Sequence, residues 1–394
     1  MRICLNMIVK DEAANLPRLF ASVADAADCF VISDTGSRDG TPELLERLSR
    51  DHGIPGLVTR HPWIDFAANR NLALKHAMEA RDRGEMDFEW VMVMDADEEL
   101  RVNDPHWRAK LSPGESLLAY KRAANISYQH DLLLWVEGQA WQWEGRIHSH
   151  IRNRNRGHAF KHTNDLAVLY HEFEGAKSKP FSNGRQKAMA DIDALSMELE
   201  GKSPEAGNIH RFFQIGHAYR NTGSYSDCVA VMHAVANAPF AGPQLAYAAL
   251  VMAGHCLMEN GQAERAKDEY ARAMRIDPLR WEAPYHLALA WRATGEPARA
   301  RDLLEERMQT GYEDMGLFWK EHGVYEWRLP YELCYLRSLT GASSKAVDLA
   351  SSLLAAGSLP AMESAFLRKL LERMVEGTKG IPPLTSDPQK HTEP

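Results

Sequence analysis

At 394 residues the chain is longer than one ordinary hydrophobic core supports, and 45% hydrophobic with 25% charged residues is the composition of a soluble globular protein with two domains. A formal net charge of −8 argues against a nucleic-acid or anionic-membrane partner, and no apolar run reaches membrane-spanning length. Five scattered cysteines (Cys4, Cys29, Cys228, Cys256, Cys334) lack metal-ligand spacing and read as small core residues of a reducing compartment. The start of the chain does not read as a signal peptide, so a cytoplasmic location without integral membrane association is expected.

The first hundred residues alternate strand and helix patterns. Ile3 to Val9 is a strand, and Ala13 to Ala24 is a helix with Leu16, Leu19, Phe20 and Val23 on one face and Pro17 tolerated in its first turn. Cys29 to Ile32 is a second strand that runs into the turn-forming stretch Ser33 to Thr41. A helix from Pro42 to Ser49 follows, then a weak strand from Gly56 to Arg60 and a helix from Ala67 to Arg81. Trp90 to Met94 is a short buried strand. This order predicts a mostly parallel, doubly wound, Rossmann-like sheet, although no GxGxxG follows the first strand.

Directly after that strand stand Asp95, Asp97, Glu98 and Glu99, four carboxylates within five residues. In an open α/β sheet this is the carboxyl edge, where ligands bind. Acids gathered there repel one another unless a cation neutralises them, and hard oxygen donors suit magnesium or manganese. The plainer alternative is a solvated acidic turn leading to a helix.

Four pieces in order resemble the metal-dependent GT-A glycosyltransferases of the inverting family 2. Ile8-Val9-Lys10-Asp11-Glu12 looks like the family's "IVKNE" segment, with Asp11 in place of Asn. Asp34 to Thr41 fits "DxxSxDGT", Phe66 to Asn71 followed by Ala73 resembles the "FxxxRNxA" helix, and Asp95-Ala96-Asp97-Glu98 is the DxD-type motif. The resemblance implies a nucleotide-sugar site in which Val9 and Glu12 lie beside the nucleotide and Asp34 contacts the base. Asp39 belongs to the same binding loop, Arg70 lies near the diphosphate, Asp95 near the ribose or metal, and Asp97 on a manganese or magnesium ion.

From Leu111 to about Tyr170 the pattern is less regular, with strands expected at Leu117–Ile126, Leu132–Val136 and Arg146–Ile151. Trp135, Trp141 and Trp143 cluster around Glu137, Glu144, Arg146 and His148, which suits either a sugar platform or plain core packing. Trp143 to His148 resembles a family segment ending in His-Glu, with Ser149 in place of the Glu. Glu144 is the expected general base, with Glu98 and Glu137 as rivals, and His148 is expected to help hold the metal and diphosphate. The basic run from Arg146 to Lys161 reads as a solvated loop or as a flap over the diphosphate. His171 resembles the family's "HxGY"-type segment, with Glu172 and Phe173 departing from it. A helix over Lys179–Glu200 is expected to pack back on the catalytic domain.

Beyond Pro204 the chain is helical and repetitive. Ile215-Gly216, Tyr219, Gly223 and Cys228 align with Ala253-Gly254, Leu257, Gly261 and Ala266, and again with Leu287-Ala288, Trp291, Gly295 and Ala300. The last two units are 34 residues apart, the tetratricopeptide period, and the first two are 38 apart. A degenerate fourth unit includes Leu333, Gly341 and Ala346, and a capping helix spans Ser358 to Arg373. The expected architecture is thus α/β then all-α. A GT-A domain occupies 1–203, a tetratricopeptide-repeat solenoid 204–376, and a disordered tail 377–394.

The expected activity is inverting, metal-dependent transfer from a nucleotide-sugar, in the first instance a UDP-sugar, to a protein, peptide or glycan acceptor. The repeats would bind that acceptor or serve for homo-oligomerisation. Two other functions fit the same sequence: a transferase that builds surface polysaccharide, and a repeat-based binding scaffold whose catalytic domain has lost activity.

Overall fold

The computed structural model describes residues 1–123, 126–155, 158–171, 184–205, 207–312 and 318–376. The chain divides into two compact units, Met1–Ala123 with Ser127–Lys187, and the segment from Ala188 onward. The departures at Glu172 and Phe173, and the tail from residue 377, lie outside the described residues. Among the described residues no helix is long and apolar enough to cross a membrane. All five cysteines are buried and free.

The first unit opens with β1 (Ile3–Val9), α1 (Leu16–Val23), β2 (Cys29–Asp34), α2 (Thr41–His52), β3 (Gly56–Arg60), α3 (Phe66–Asp82) and β4 (Trp90–Val93). These follow the predicted order because each strand is a short apolar run bounded by turn residues and each helix has an apolar stripe. The acidic segment then enters β5 (Glu98–Val102), not the helix of the plainer alternative. β6 (Glu115–Ala123), β7 (Ile126–Trp135), β8 (Trp141–Glu144), β9 (His150–Asn153) and β10 (Ala159–Tyr170) complete the unit. The main sheet runs β3-β2-β1-β4-β7-β6-β10-β5, while β8 and β9 form a separate antiparallel pair. β1 to β4 are mutually parallel, with Val9 beside Asp34 and Asp34 beside Arg60, so their carboxyl ends share one edge. β7 runs antiparallel to β4, so its first residues lie at that edge and its last at the opposite one.

Two features fix this edge. Asn6, buried in the middle of β1, donates to the carbonyls of Val31 (2.8 Å) and Ala73 (3.0 Å), which ties α3 to the sheet with its polar group satisfied. Asp65 caps α3 by accepting from the Ala68 amide at 2.8 Å. Trp90 and Trp135 meet edge-to-face at 4.7 Å in the core, so Trp135 is packing and not a sugar platform.

The second unit takes in most of α4 (Gly184–Leu199), whose Glu198 pairs with Arg211 of α5 (Ile209–Thr222) at 3.2 Å. From Ala188 on, α4 therefore counts with the helices that follow and not with the sheet of the first unit. Helical hairpins follow: α5 with α6 (Tyr225–Ala236), α7 (Gly242–Glu259) with α8 (Ala263–Ile276), α9 (Glu282–Ala293) with α10 (Pro297–Thr310), and α11 (Leu329–Leu339) with α12 (Ser343–Ala356). α13 (Ala361–Glu376) stands where the capping helix is predicted. Gly261 and Gly295 turn their hairpins at φ 71° and 86°, a conformation that strains any residue with a Cβ. Between α10 and α11 the period breaks: Gly341 follows Gly295 by 46 residues, where Gly295 follows Gly261 by 34.

Close helix approach explains the small residue on α7. A Cβ built on Gly254 would lie 2.4 Å from the ring of Tyr270, itself wholly buried. Gly254→Ala should therefore destabilise the second unit by about 1–3 kcal/mol, the usual cost of overpacking, despite the better helix propensity of alanine. Urea unfolding checks this, and unchanged stability would mean that the ring moves aside without cost.

Candidate active site

The loops that follow β1 and β2 are stitched to each other by short polar side chains. Thr41 accepts from the Glu12 amide (2.9 Å), Ser37 from the Asp11 amide (2.9 Å), and Asp11 from the Arg38 amide (2.7 Å). Asp39 accepts from the Ala13 amide (3.0 Å), the Thr41 amide (3.1 Å) and the Thr41 hydroxyl (2.6 Å). Burial works against its charge, yet these hydrogen bonds outweigh it and hold the carboxyl below its usual range. Asp39 thus braces the two loops against each other.

Asp34, only 4% exposed, accepts from the amides of Gly36 and Ser37 and from the Ser37 hydroxyl. Gly36 permits this tight turn at φ 109°. The Val9 carbonyl accepts from both the amide and the hydroxyl of Thr35, which holds the two strand ends together. Beside them opens a cleft of about 550 Å³, lined by Asp34, Ser37, Arg38, Pro42, Arg60 and His61. Arg60 and His61, at the end of the weak third strand, carried no signal of this role in the sequence.

The acidic segment sits at the carboxyl end of β4. Asp95 is bonded to the Arg70 guanidinium, and although burial opposes its charge, Arg70, Lys121 and His130 hold its carboxyl at about 2. Arg70 also lies over the ring of Trp143, its guanidinium carbon 4.6 Å from the centroid. Asp97 is the contrast. It is 9% exposed, and its carboxylate makes no hydrogen bond or ion pair with a described residue. Burial, then the charges of Asp95 and Glu98, push it up to about 7, with Lys121 opposing and Glu12 adding to the rise. Glu12 itself is buried and accepts from Asn15 at 2.7 Å.

Glu98 does not behave as a rival base. It is fully buried, ion-paired to Lys121 of β6, and accepts from the Asp95 amide at 2.9 Å. Burial disfavours the Lys121 charge, but Glu98, then Asp95 and Asp97, raise its pKa above the ordinary lysine range. Glu99 pairs with His171 at 3.1 Å, and the His171 amide donates to the Asp97 carbonyl at 3.0 Å, so β10 clamps the acidic loop from its far side. Removing the buried cation alone leaves an uncompensated buried charge. Lys121→Met should therefore cost about 3 kcal/mol in urea unfolding, and Lys121→Met with Glu98→Gln should recover most of it. Full cost in the double variant would mean that Lys121 acts mainly through packing.

Glu144 and His148 are placed differently from expectation. The segment from Gly145 to Ser149 is a turn and not a strand, with Gly145 at φ 93° and His148 at φ 45°. The two residues therefore do not share a strand face. Asn71 of α3 exchanges hydrogen bonds with the Trp143 backbone (2.8 and 2.9 Å), which docks β8 on α3 and turns Trp143 toward Arg70. By strand alternation Glu144 points the other way. Its carboxylate meets Arg154 at 2.9 Å and Arg152 at 3.4 Å, with His150 at 3.7 Å. Three residues of the basic run are thus engaged with Glu144, within the β8–β9 pair, and part of the run is ordered sheet instead of a free flap. Both guanidinium groups thus occupy the Glu144 oxygens that a base would have to free. The turn carrying His148 is tethered to the start of α3, where the Phe66 amide donates to the Arg146 carbonyl at 3.3 Å. Glu137, the other rival, is exposed beyond the end of β7, on the edge opposite Asp95.

A carboxylate that was not singled out in the sequence lies at the correct edge. Leu133 of β7 pairs with Met92 of β4, so two residues earlier Asp131 is level with Met94, just before Asp95. Its neighbour His130 reaches the Val93 carbonyl at 2.9 Å. Burial pushes the Asp131 carboxyl above its usual value, with the His130 charge opposing, and it has no hydrogen bond or ion pair with a described residue.

Comparison with known proteins bears on this geometry. Over 100 residues the chain is 42% identical to the TPR repeat-containing protein Synpcc7942_0270 of Synechococcus elongatus, a match that covers 25% of this chain and 21% of that protein. The chain thus spans about a fifth of the length of this curated relative. Among solved structures, one crystal structure of MamA is 17% identical with a TM-score of 0.34, covering 46% of this chain and 93% of that one. A second is 14% identical with a TM-score of 0.33, covering 52% and 98%. Residues 4–105, which hold β1 to β5 and with them Asp34, Arg70, Asp95 and Asp97, match the family model described as Glycosyl transferase family 2.

Proposed function

We propose that this protein transfers a sugar from a nucleotide-sugar to an acceptor hydroxyl, amine or thiol, with inversion, and needs a divalent cation to do so. The observation that carries the reading is Asp97, a nearly buried carboxylate without a partner among the described residues, set among Asp95, Glu98 and Glu12 on the carboxyl edge of a doubly wound sheet. Hard carboxylate donors at an open edge fit magnesium or manganese, with Asp97 and Asp95 as the protein's ligands. Bound there, the cation would neutralise charge that develops on the leaving diphosphate. Arg70, fixed between Asp95 and the Trp143 ring, would supply a further positive charge without reorganising. The nucleoside would occupy the cleft beside Asp34, with Arg60 and His61 on its rim.

Arg70→Lys tests the positioning argument, since lysine keeps the charge but loses the planar fork and the stacking. We expect kcat/KM to fall about 10–100-fold. A wild-type value would mean that Arg70 serves only to hold Asp95.

The helical hairpins would hold a protein or peptide acceptor, in keeping with the extended surfaces that stacked helix pairs present. The deciding experiment incubates the purified full chain with a nucleotide-sugar panel and manganese. Release of nucleoside diphosphate, together with hexose-sized mass additions on cellular proteins that vanish when the gene is deleted, supports the proposal. Additions on a polysaccharide would redirect the acceptor. No release with any donor, alongside intact peptide binding, would make the protein a binding scaffold.

A further inference from the structure

A second cluster of ligating side chains lies wholly within the helical unit, and glycosyl transfer makes no use of it. His255 on α7 and His286 on α9 face each other with ring centroids 4.2 Å apart. The segment that breaks the repeat period between α10 and α11 brings Glu321 against both. His286 Nε2 is 3.0 Å from each Glu321 oxygen, and His255 Nε2 is 3.5 Å from Oε1. The three residues are 6%, 1% and 1% exposed. Among the described residues, neither nitrogen of His255 has a hydrogen-bond partner, nor has Nδ1 of His286.

We propose that His255, His286 and Glu321 form a buried site for one divalent transition ion of the zinc type, which clasps successive helical hairpins to the inserted segment. The first support is spacing. Ligand atoms about 2.0–2.1 Å from a tetrahedral zinc lie roughly 3.3 Å from one another, and the 3.0 and 3.5 Å separations here bracket that edge. Together the three ligand atoms lie within 4.8 Å of one another. The second support is protonation. Burial, then the His286 charge, holds His255 well below the usual imidazole value, which leaves a neutral ring with a lone pair to give. Burial opposes the Glu321 charge, but His286, hydrogen-bonded to both of its oxygens, and the nearby Arg328 favour the carboxylate.

The surroundings agree with a ligand role. Arg328 approaches the second Glu321 oxygen at 3.7 Å, which would leave the first to the ion. Tyr270 stacks on His286 at 5.6 Å and Tyr285 meets it edge-on at 4.9 Å, so aromatic rings wall the site. A cluster without an ion would leave His255 buried with no hydrogen bond, an arrangement that proteins rarely tolerate. Two imidazoles and one carboxylate suit zinc, cobalt or ferrous iron and do not suit magnesium or calcium. The site is therefore chemically distinct from the carboxylate pair at the sheet edge.

The test uses the full chain carrying Asp97→Asn, so that the acidic edge does not contribute metal. This protein is expressed with added zinc, passed over a sizing column, and assayed for metal by mass spectrometry. It is then unfolded with chelator and refolded with and without zinc or cobalt. The expected result is about one zinc per chain, a rise of about 5–10 °C in the unfolding temperature with metal in hundredfold excess over Kd, and a visible cobalt spectrum showing nitrogen ligation. His255→Gln should lose the cobalt spectrum while still refolding, since glutamine retains volume and hydrogen-bonding capacity. Less than about a tenth of a metal per refolded chain, with no zinc-dependent shift, would overturn the proposal and leave an Arg328–Glu321 ion pair flanked by two histidines.

Discussion

Asp97→Asn should abolish cation-dependent turnover and, at the same time, stabilise the metal-free protein above neutral pH. Both effects come from one arrangement: burial and the charges of Asp95, Glu98 and Glu12 push the Asp97 carboxyl up to about 7, with Lys121 the opposing charge. A carboxyl whose folded pKa exceeds its unfolded value of about 3.9 gives stability that is full below that value. The stability is lost as pH rises through about 7. Metal-free wild type should therefore weaken between about pH 4 and 7 by an amount on the order of 2–4 kcal/mol, whereas Asp97→Asn should stay nearly flat across this window. Added manganese should reverse the pattern, stabilising wild type more at pH 8 than at pH 6 because the proton competes with the ion. Turnover should fall by several decades, since neutralisation of the leaving group is lost. Urea unfolding at both pH values, with and without manganese, reads the first effect, and nucleoside diphosphate release reads the second. Equal stability of the two proteins at pH 8 without metal would remove the electrostatic basis of the assignment.

The parts of this molecule that were legible in the sequence are those set by local pattern. β1 to β4 are apolar runs separated by amphipathic helices, and the glycines at 261, 295 and 341 turn helical hairpins where the repeat placed them. What escaped depends on pairing across long separations. Glu98 reads as a free acid until Lys121, 23 residues later, neutralises it. Glu144 beside Trp143 reads as a desolvated base until β9 folds back and brings Arg152 and Arg154 to it. β5 and β10 lack strong alternation of their own; β10 is held by pairing with both β6 and β5, and β5 by pairing with β10. Asp39 matches its motif, but its hydrogen bonds show that the motif residue braces a loop. One signal was available: Asp131 is a charge set directly before the apolar run Leu132 to Val136, where a strand meets the edge of a sheet.

That residue is the subject of the last expected result: Asp131→Asn should bind donor normally and lose transfer by two to four decades, the range typical of a lost acid–base group. Four observations select it over the three glutamates first considered. Glu98 is buried against Lys121, Glu144 lies between two arginines, and Glu137 is exposed at the opposite edge of the sheet. Asp131 stands at the carboxyl edge of β4, level with the residue before Asp95, and has no hydrogen bond or ion pair with a described residue. Burial raises its pKa, with the neighbouring His130 charge opposing, and a carboxyl moved toward the working pH is a stronger base for an acceptor proton. The loss should lie in kcat, with donor Kd unchanged, because the group acts on the acceptor and not on the nucleotide. Glu144→Gln supplies the contrast: it should change kcat less than about tenfold, because it removes only an ion-pair partner of Arg152 and Arg154. Should Glu144→Gln lose transfer by decades while Asp131→Asn retains it, the arginine pairs must open during the reaction and the base returns to β8.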